Sequence, residues 1–446
     1  MRVVTPPHSD AMGNPPRPPL HVAIIGGGIT GVTLALGLEA RGVAYTLYER
    51  TPEFKEIGAG VGFSPNAEVA LKALGPHIHA AYKRVAMPNG EDYFQWVDGK
   101  TDEVITKLYL GEEGFQGCRR SDFLDELVKM IPEDKVRLGK AVETIEEFDD
   151  EEIMDRRVRI GFHDGTGAEA DIVIGCDGIH SSTRQILFGE DENAPRPSYS
   201  NKFCFRALVP TSEALKTISE YRASTRFMYN GPDAHAITYP VTKDLLNVLL
   251  VISDPHPWAA ADGRHTARGR KQEALDAFAG WHPTVRAIVD LLPDEMDKWA
   301  IFDMQEHRAA SYFKGSVGLA GDAAHAAGPH LGAGAGFGME DALVLAELLK
   351  AASEASDQRF RAIMCRRLLY EYYDARFSRT QWLVRETRRA CDLFQWRDPL
   401  VGSDTRKFEN KIKEMFYRIW GFDVEESTEE AVLKFRETVL KNVDKN

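Results

Sequence analysis

The chain is poor in cysteine and has no way of pairing what it has. Its five cysteines, Cys118, Cys176, Cys204, Cys365 and Cys391, are odd in number, scattered, and never spaced Cys-x-x-Cys. A disulfide scaffold and a structural metal are both excluded as expectations, and a reducing compartment fits best. Basic residues are also in deficit: 55 Lys and Arg face 68 Asp and Glu, a net charge of −13. Nucleic acid and anionic membrane, which reward Lys and Arg, are therefore not expected as principal partners. Only Val22–Leu38 is uncharged for long enough to raise the question of a span or signal. It is interrupted by glycine and threonine and followed at once by Glu39 and Arg41, which suits a buried strand and helix better. There is no Gly-Lys-Ser/Thr of a Walker loop, no internal repeat and no lipidation signal, and Val443-Asp444-Lys445-Asn446 is not a peroxisomal address. A cytoplasmic location is the expectation. Residues 1–20, with six prolines, read as a disordered tail.

What the chain does contain is organised around Val22–Arg50. Four apolar residues, Val22 to Ile25, run into Gly26-Gly27-Gly28; an apolar helix-like segment, Ile29 to Ala40, follows, and a β-rich run, Ala44 to Tyr48, ends in Glu49. The glycines fall at Gly26-x-Gly28-x-x-Gly31. In a dinucleotide site the first allows a tight turn, the second lets backbone approach a pyrophosphate, and the third lets helix and sheet pack closely. The helix N-terminus supplies free N–H groups and partial positive charge. A carboxylate about 20 residues on, here Glu49, can hold a ribose diol.

Downstream, a second glycine cluster, Glu56 to Gly62, reads as backbone brought close to a ligand, and Ser64-Pro65-Asn66 opens a helix through Leu74. Strands are expected at 92–99 and 105–110, then a helix over 122–130 with Ser121 as N-cap. The apolar run Asp171–Gly178 reads as a buried parallel strand ending at Asp177-Gly178, where a ligand crevice should open. From Tyr199 to Asp254 the pattern changes to alternating strands with no helix between them, the natural place for a substrate domain. A strand at 299–304 and another ending at Gly321-Asp322 precede Gly332–Gly338, which feeds a helix beginning near Met339. This second glycine-rich helix start is expected to point at the same extended ligand as the first. A long amphipathic helix over 360–396, bearing Trp382, Arg385 and Arg388 as a packing or dimer face, and two further helices complete the chain.

Taken together, the Gly26-x-Gly28-x-x-Gly31…Glu49 fingerprint, the Asp177-Gly178 strand end, and Gly321-Asp322 with Pro329 and Gly334 resemble the single-component, class A flavoprotein aromatic hydroxylases. Segments such as Phe94–Gly99, Gly114–Arg120 and Gly321–Ala327 are most similar to the fungal salicylate-hydroxylase-like enzymes, including dearomatising monooxygenases of tropolone and azaphilone pathways. The resemblance implies an α/β fold: a Rossmann-type FAD-binding domain (21–198 and 299–358), an inserted mixed or antiparallel β-sheet substrate domain (199–298), and C-terminal helices (359–446). It implies that Glu49 holds the adenosine ribose and that Arg120 meets the FAD phosphates or ribityl. Gly62 would line the dinucleotide, Asp322 would bind a ribityl hydroxyl, and Gly334 with Ala335 would offer backbone near the isoalloxazine. Asp177 is cofactor-facing or structural. With a single fingerprint taken by FAD, NAD(P)H must bind a groove without its own motif.

The resemblance further implies oxygen attack on an electron-rich phenolic ring through a flavin C4a-hydroperoxide, in a pocket with a cation at the phenolate. Arg206, mid-strand among apolar residues, is either paired in the core or reaching into a cavity; Tyr239 is similar, and the resemblance makes the two the substrate-anchoring pair. His330, beside the flavin segment, is the candidate proton relay ahead of His325, and His235 a pocket residue. The expected activity is NAD(P)H- and O2-dependent hydroxylation of a salicylate- or resorcinol-type phenol, polyketide-derived, with dearomatisation or decarboxylative hydroxylation both open. An FAD oxidase or quinone reductase is the alternative class, and a monomer or homodimer is expected.

Overall fold

The computed structural model describes residues 19–54, 60–111, 115–151, 155–189, 192–258, 264–355 and 361–443. The expected tail at 1–20 lies almost wholly outside them, as do Glu56 to Ala59 and Gly114.

The apolar run at the start becomes a central strand. His21–Ile25 lies between Ala44–Tyr48 and Ile172–Gly175, parallel to both, with Val22, Ala23 and Ile24 fully buried. Strands apolar on both faces belong in the middle of a parallel sheet covered on both sides. The six-stranded sheet runs Phe313–Lys314, Val317–Leu319, Ile172–Gly175, His21–Ile25, Ala44–Tyr48, Val136–Arg137, parallel except at its first pair. This is a Rossmann-type arrangement. A three-stranded antiparallel sheet (142–150, 155–162, 167–170) packs on one flank.

Two helices lie on this sheet and against each other. Ile29–Ala40 leaves the first glycine turn, and Gly334–Ser353 leaves the second glycine cluster. Their approach depends on glycine: a Cβ on Gly338 would sit 2.3 Å from Thr30 Oγ1, and one on Gly37 would sit 2.6 Å from Leu74 Cδ2 and 3.3 Å from the Ala346 methyl. The second helix begins at Gly334, not near Met339 as expected. Glycine is a poor helix former, but Gly336 fits against Ala67 (2.9 Å to a hypothetical Cβ) and Gly338 against Thr30, so packing overrides propensity.

The second layer is an eight-stranded mixed sheet: Thr266–Arg270, Glu295–Asp303, Ser198–Pro210, Leu245–Ser253, Ala234–Thr242, Phe227–Gly231, Tyr93–Asp98, Val104–Tyr109. It is larger than the block 199–298, because Tyr93–Asp98 pairs parallel with Phe227–Gly231 and the strand expected from 299 begins at Glu295 inside this sheet. Two short helices, Thr211–Ala214 and Glu220–Ser224, interrupt the stretch expected to be free of helix; Ser219 caps the second, its Oγ accepting the Arg222 N–H. Ser121 is not an N-cap either. The strand Gln116–Arg119 runs straight into the helix Arg120–Val128, and the Ser121 hydroxyl donates to Asp122 (3.2 Å).

The long helix, Arg361–Phe394, packs into the chain through its buried residues and keeps Ile363 and Tyr370 exposed. Arg388 pairs with Asp303 (2.6 Å) and Glu306 (2.9 Å), and Arg418 lies over the Trp382 ring (4.6 Å). The helix Thr405–Trp420 covers the outer strands of the large sheet, with Phe416 edge-on to Trp96 (5.4 Å). Among the described residues no helix is long and apolar enough to cross a membrane.

The contact at Gly338 yields a test. Gly338→Ala should cost about 1–3 kcal/mol through overpacking, read by denaturant unfolding, and Thr30→Ala in the same chain should restore most of it.

Candidate active site

The first glycine turn is shaped for close approach on one side and open on the other. Gly26 has φ +107°, and a Cβ there would lie 2.6 Å from the Cys176 carbonyl; one on Gly31 would lie 2.0 Å from the Gly26 carbonyl. A Cβ on Gly28, by contrast, would meet nothing within 4 Å. Gly28 is the N-cap of a helix with no side-chain cap and no acidic residue in its first turn. Its free N–H groups and partial positive charge therefore face a cleft lined by Gly28, Ile29 and Thr30.

The second junction meets the same cleft. Gly334 and Ala335 line it at the start of a helix that again has no side-chain cap and no acidic first turn. Asp322, opening the short helix Asp322–His325, exposes its carboxylate to the cleft and makes no hydrogen bond or ion pair among the described residues. Gly62 and Arg120 line it from another side. Open space at Gly28, two uncapped helix N-termini and an unpaired carboxylate suit an extended ligand with a diphosphate and hydroxyls. FAD is such a ligand.

Two expected contacts stand beside the cleft instead of in its described lining. Glu49 ends its strand as anticipated, but Oε2 accepts the Gly27 N–H (2.6 Å) and Oε1 is held by Thr51. Asp177 accepts from the Ser181 hydroxyl (2.6 Å) with one oxygen and from the Thr183 N–H (2.9 Å) and hydroxyl with the other. These bonds fix the turn, and its neighbours Gly178 and Ile179 line the cleft. Arg184, not anticipated, ties the two turns together: buried, it donates to the Ile179 carbonyl (2.6 Å) and the Ala323 carbonyl (2.9 Å).

Behind the second junction is a buried ion network. Glu340 pairs with Arg376 (2.7 Å) and Arg379 (2.8 Å) and accepts from Asn66; Asp341 pairs with Arg376 (2.7 Å) and His325 (2.6 Å) and accepts the Gly321 N–H. His325 is thereby committed to structure. Despite burial, His325 and Arg376 hold the Asp341 carboxyl well below the usual carboxylate range. From the long helix, Thr387 donates to the Gly328 carbonyl (2.8 Å) and accepts the Leu331 N–H, fixing the loop between the junctions.

The far wall of the cleft is the large sheet. Arg206 lines it from mid-strand, its side chain open to the cleft. Its guanidinium is 5.5 Å from the Trp299 ring centre and has no ion pair among the described residues. Tyr239, on the same wall, is edge-on to Phe115 (5.7 Å) and opposite Asn247 on the next strand. Burial pushes its hydroxyl up to about 12, against the pull of Arg226 and Arg206. Arg226, also not anticipated, lines the wall between the Phe94 and Phe115 rings.

His235 and His330 are both in the lining, edge to face at 5.6 Å. The His235 Nδ1 meets the Gln395 amide (3.3 Å); the His330 Nδ1 is buried without a partner among the described residues. Burial drives His235 down to about 3 and His330 well below 6.5, helped by the nearby Lys202. Burial thus favours the neutral form of both rings, which runs against the proton-relay role expected of His330. Their nitrogens and the Cys391 sulfur lie within 4.8 Å of one another, a ligand set in principle. Lys202 disfavours a cation there, and burial keeps the Cys391 thiol protonated.

Fold and cleft thus define a flavin-nucleotide-binding protein of the Rossmann type. The FAD-binding-domain family model matches residues 19–369. The chain is 47% identical to the FAD-dependent monooxygenase orf3 of Aspergillus niger over 96% of this chain and 99% of that protein. It is 46% identical to the FAD-dependent monooxygenase pigN of Monascus ruber, covering 94% and 98%. A solved salicylate hydroxylase in complex with substrate superposes with a TM-score of 0.82 at 32% identity, over 93% of this chain and 98% of that one. The chain belongs to this family and is an FAD-dependent monooxygenase, with a Rossmann FAD-binding domain, an inserted β-sheet domain and C-terminal helices.

Two stability measurements follow. Asp341→Asn should cost about 3–5 kcal/mol, the usual price of leaving one partner of a buried pair uncompensated. His235 binds its proton in the unfolded chain near 6.5 but in the fold only near 3. The unfolded state therefore holds more protons between these values, and stability falls as pH drops through that window. His235→Leu should flatten that loss in urea unfolding followed across the same range.

Proposed function

We propose that this monooxygenase hydroxylates a phenolic ring of the salicylate or resorcinol type, derived from a fungal polyketide, with NAD(P)H as reductant and O2 as oxidant. The observation that carries this is the guanidinium of Arg206, with no carboxylate partner among the described residues, on the same wall as the Tyr239 hydroxyl in the cleft lined by both helix N-termini. Bound FAD, once reduced, supplies the activation of oxygen. The chain's own residues do the rest. Gly28, Arg120, Asp322, Gly334 and Ala335 hold the cofactor. Arg206 neutralises the phenolate oxygen, lowering a phenol pKa from near 10 so that the ring is electron-rich at neutral pH. Tyr239, itself protonated, donates a hydrogen bond that fixes the ring's orientation. His330 and His235, neutral, hold substrate or water by hydrogen bonds, and Phe115, Met228, Ile237 and Leu249 keep the reacting face dry.

A phenolate already paired with a guanidinium needs no general base near pH 7, which is consistent with two histidines too desolvated to serve as one. The name of the substrate-bound salicylate hydroxylase supports a second reading, decarboxylative hydroxylation of a salicylate. Dearomatising hydroxylation differs only in whether the attacked carbon already bears a substituent.

The test is NAD(P)H oxidation with a panel of phenols and mass spectrometry of products. A hydroxylase shows phenol-stimulated oxidation and oxygen incorporation; peroxide without incorporation would mean an oxidase. Arg206→Ala should lower kcat/KM by about a hundredfold or more, the scale of losing one charge-stabilising contact, with bound flavin retained. Unchanged turnover would remove Arg206 from the mechanism.

A further inference from the structure

Arg206 is not the only cation in the substrate wall. Arg226 stands at the start of the strand Phe227–Gly231, and its backbone N–H is fixed by Asn89 Oδ1 (2.7 Å). Its guanidinium is clamped between two aromatic faces, 3.9 Å from the Phe94 ring centre and 3.8 Å from that of Phe115. One edge approaches the loop between the glycine junctions, since a Cβ on Gly332 would lie 3.5 Å from Nη2. The residue is 5% exposed, yet its side chain has no carboxylate and no hydrogen-bond acceptor among the described residues, and Nε is a buried orphan.

Buried arginines are ordinarily paired, because an uncompensated guanidinium in a low-dielectric site is expensive. Here burial lowers the guanidinium to about 9, and no carboxylate among the described residues offsets it. Two flanking rings hold the fork rigid and satisfy its faces, leaving its edges for a planar acceptor. Arg226 lies 6.0 Å from the Tyr239 ring centre, and Arg206 lines the same cleft.

We infer that Arg226 is a second substrate anchor, which takes a second oxygen of the aromatic substrate while Arg206 takes the phenolate. The substrate class this selects is a ring carrying two oxygen functions, such as a resorcinol or an acyl-resorcinol, in preference to a singly oxygenated phenol. This rests on the phenol hydroxylase reading and adds to it the residue that meets the ring's second oxygen. Arg226 is a binding and specificity residue; its rigid slot makes the distance between the two oxygens the discriminating feature.

The experiment compares β-resorcylaldehyde with p-cresol as probes, in the flavin-loaded full-length enzyme. Binding is read from perturbation of the flavin absorbance, so it does not depend on turnover. Arg226→Gln should weaken β-resorcylaldehyde by about tenfold or more, the scale of one hydrogen bond to a charged group, and p-cresol by less than about twofold. Arg226→Lys keeps the charge and fills the slot but loses the fork, and should show the same selectivity loss in smaller measure. If the Gln variant loses its flavin, the Lys variant carries the comparison. An equal loss for both probes, or no loss for either, in a variant that keeps its flavin overturns the inference. Absence of oxygenated product from any phenol in the unaltered enzyme, with the probe selectivity intact, would overturn the hydroxylase reading and leave the two-oxygen site standing.

Discussion

Everything in this fold that faces the ligand depends on how closely two helices can lie. Ile29–Ala40 and Gly334–Ser353 come from strand ends far apart in sequence, and each is useful only if its N-terminus reaches the same cleft. At Gly338 the approach leaves no room for a methyl group beside Thr30, and at Gly37 Leu74 and Ala346 take up the space a side chain would need. The glycines of the second cluster are therefore packing residues as well as ligand-facing ones. The same constraint explains why the junction is braced from behind by Glu340, Asp341, Arg376 and Arg379. A helix start carrying no cap of its own needs its first turns held by something else.

The first junction was legible because its signal is local. Gly26, Gly28, Gly31 and Glu49 lie within one strand–turn–helix–strand unit, and each glycine has the steric reason its spacing implies. Arg206 was legible as a charge inside an apolar strand. Arg226 carries the same signal, in Arg226-Phe227-Met228-Tyr229, but the preceding Ser224-Thr225 blurs where the strand starts. What marks it as functional is the slot between Phe94 and Phe115, two residues from a different stretch of chain. The parallel pairing of Tyr93–Asp98 with Phe227–Gly231 was invisible for the same reason, since periodicity identifies a strand and not its neighbour. The histidines fall between these cases. Their place in the lining could be read from sequence, but their protonation is set by burial and by Lys202, and neither is a property of the local motif.

Charge in the cleft runs opposite to that of the whole chain. The protein carries a net −13, yet the cleft presents two helix N-termini, Arg206 and Arg226. Against these stands Asp322, the carboxylate among the described lining residues. Burying that much positive potential costs stability in the absence of ligands. An anionic diphosphate at the helix starts and an anionic ring at the arginines would each relieve part of that cost, so affinity comes from compensation already built into the fold.

The same imbalance decides the state of the neutral groups. Burial first, and positive charge second, depress histidine protonation, and the same positive charge would lower a bound phenol's pKa. Tyr239 resists this, because burial outweighs the two guanidiniums and keeps it a donor. A donor that stays protonated beside a substrate that ionises gives the oxygen two distinct partners, one carrying charge and one fixing direction. The proposed division between Arg206 and Tyr239 needs a wall whose cations have no carboxylate partner, and among the described residues neither Arg206 nor Arg226 has one.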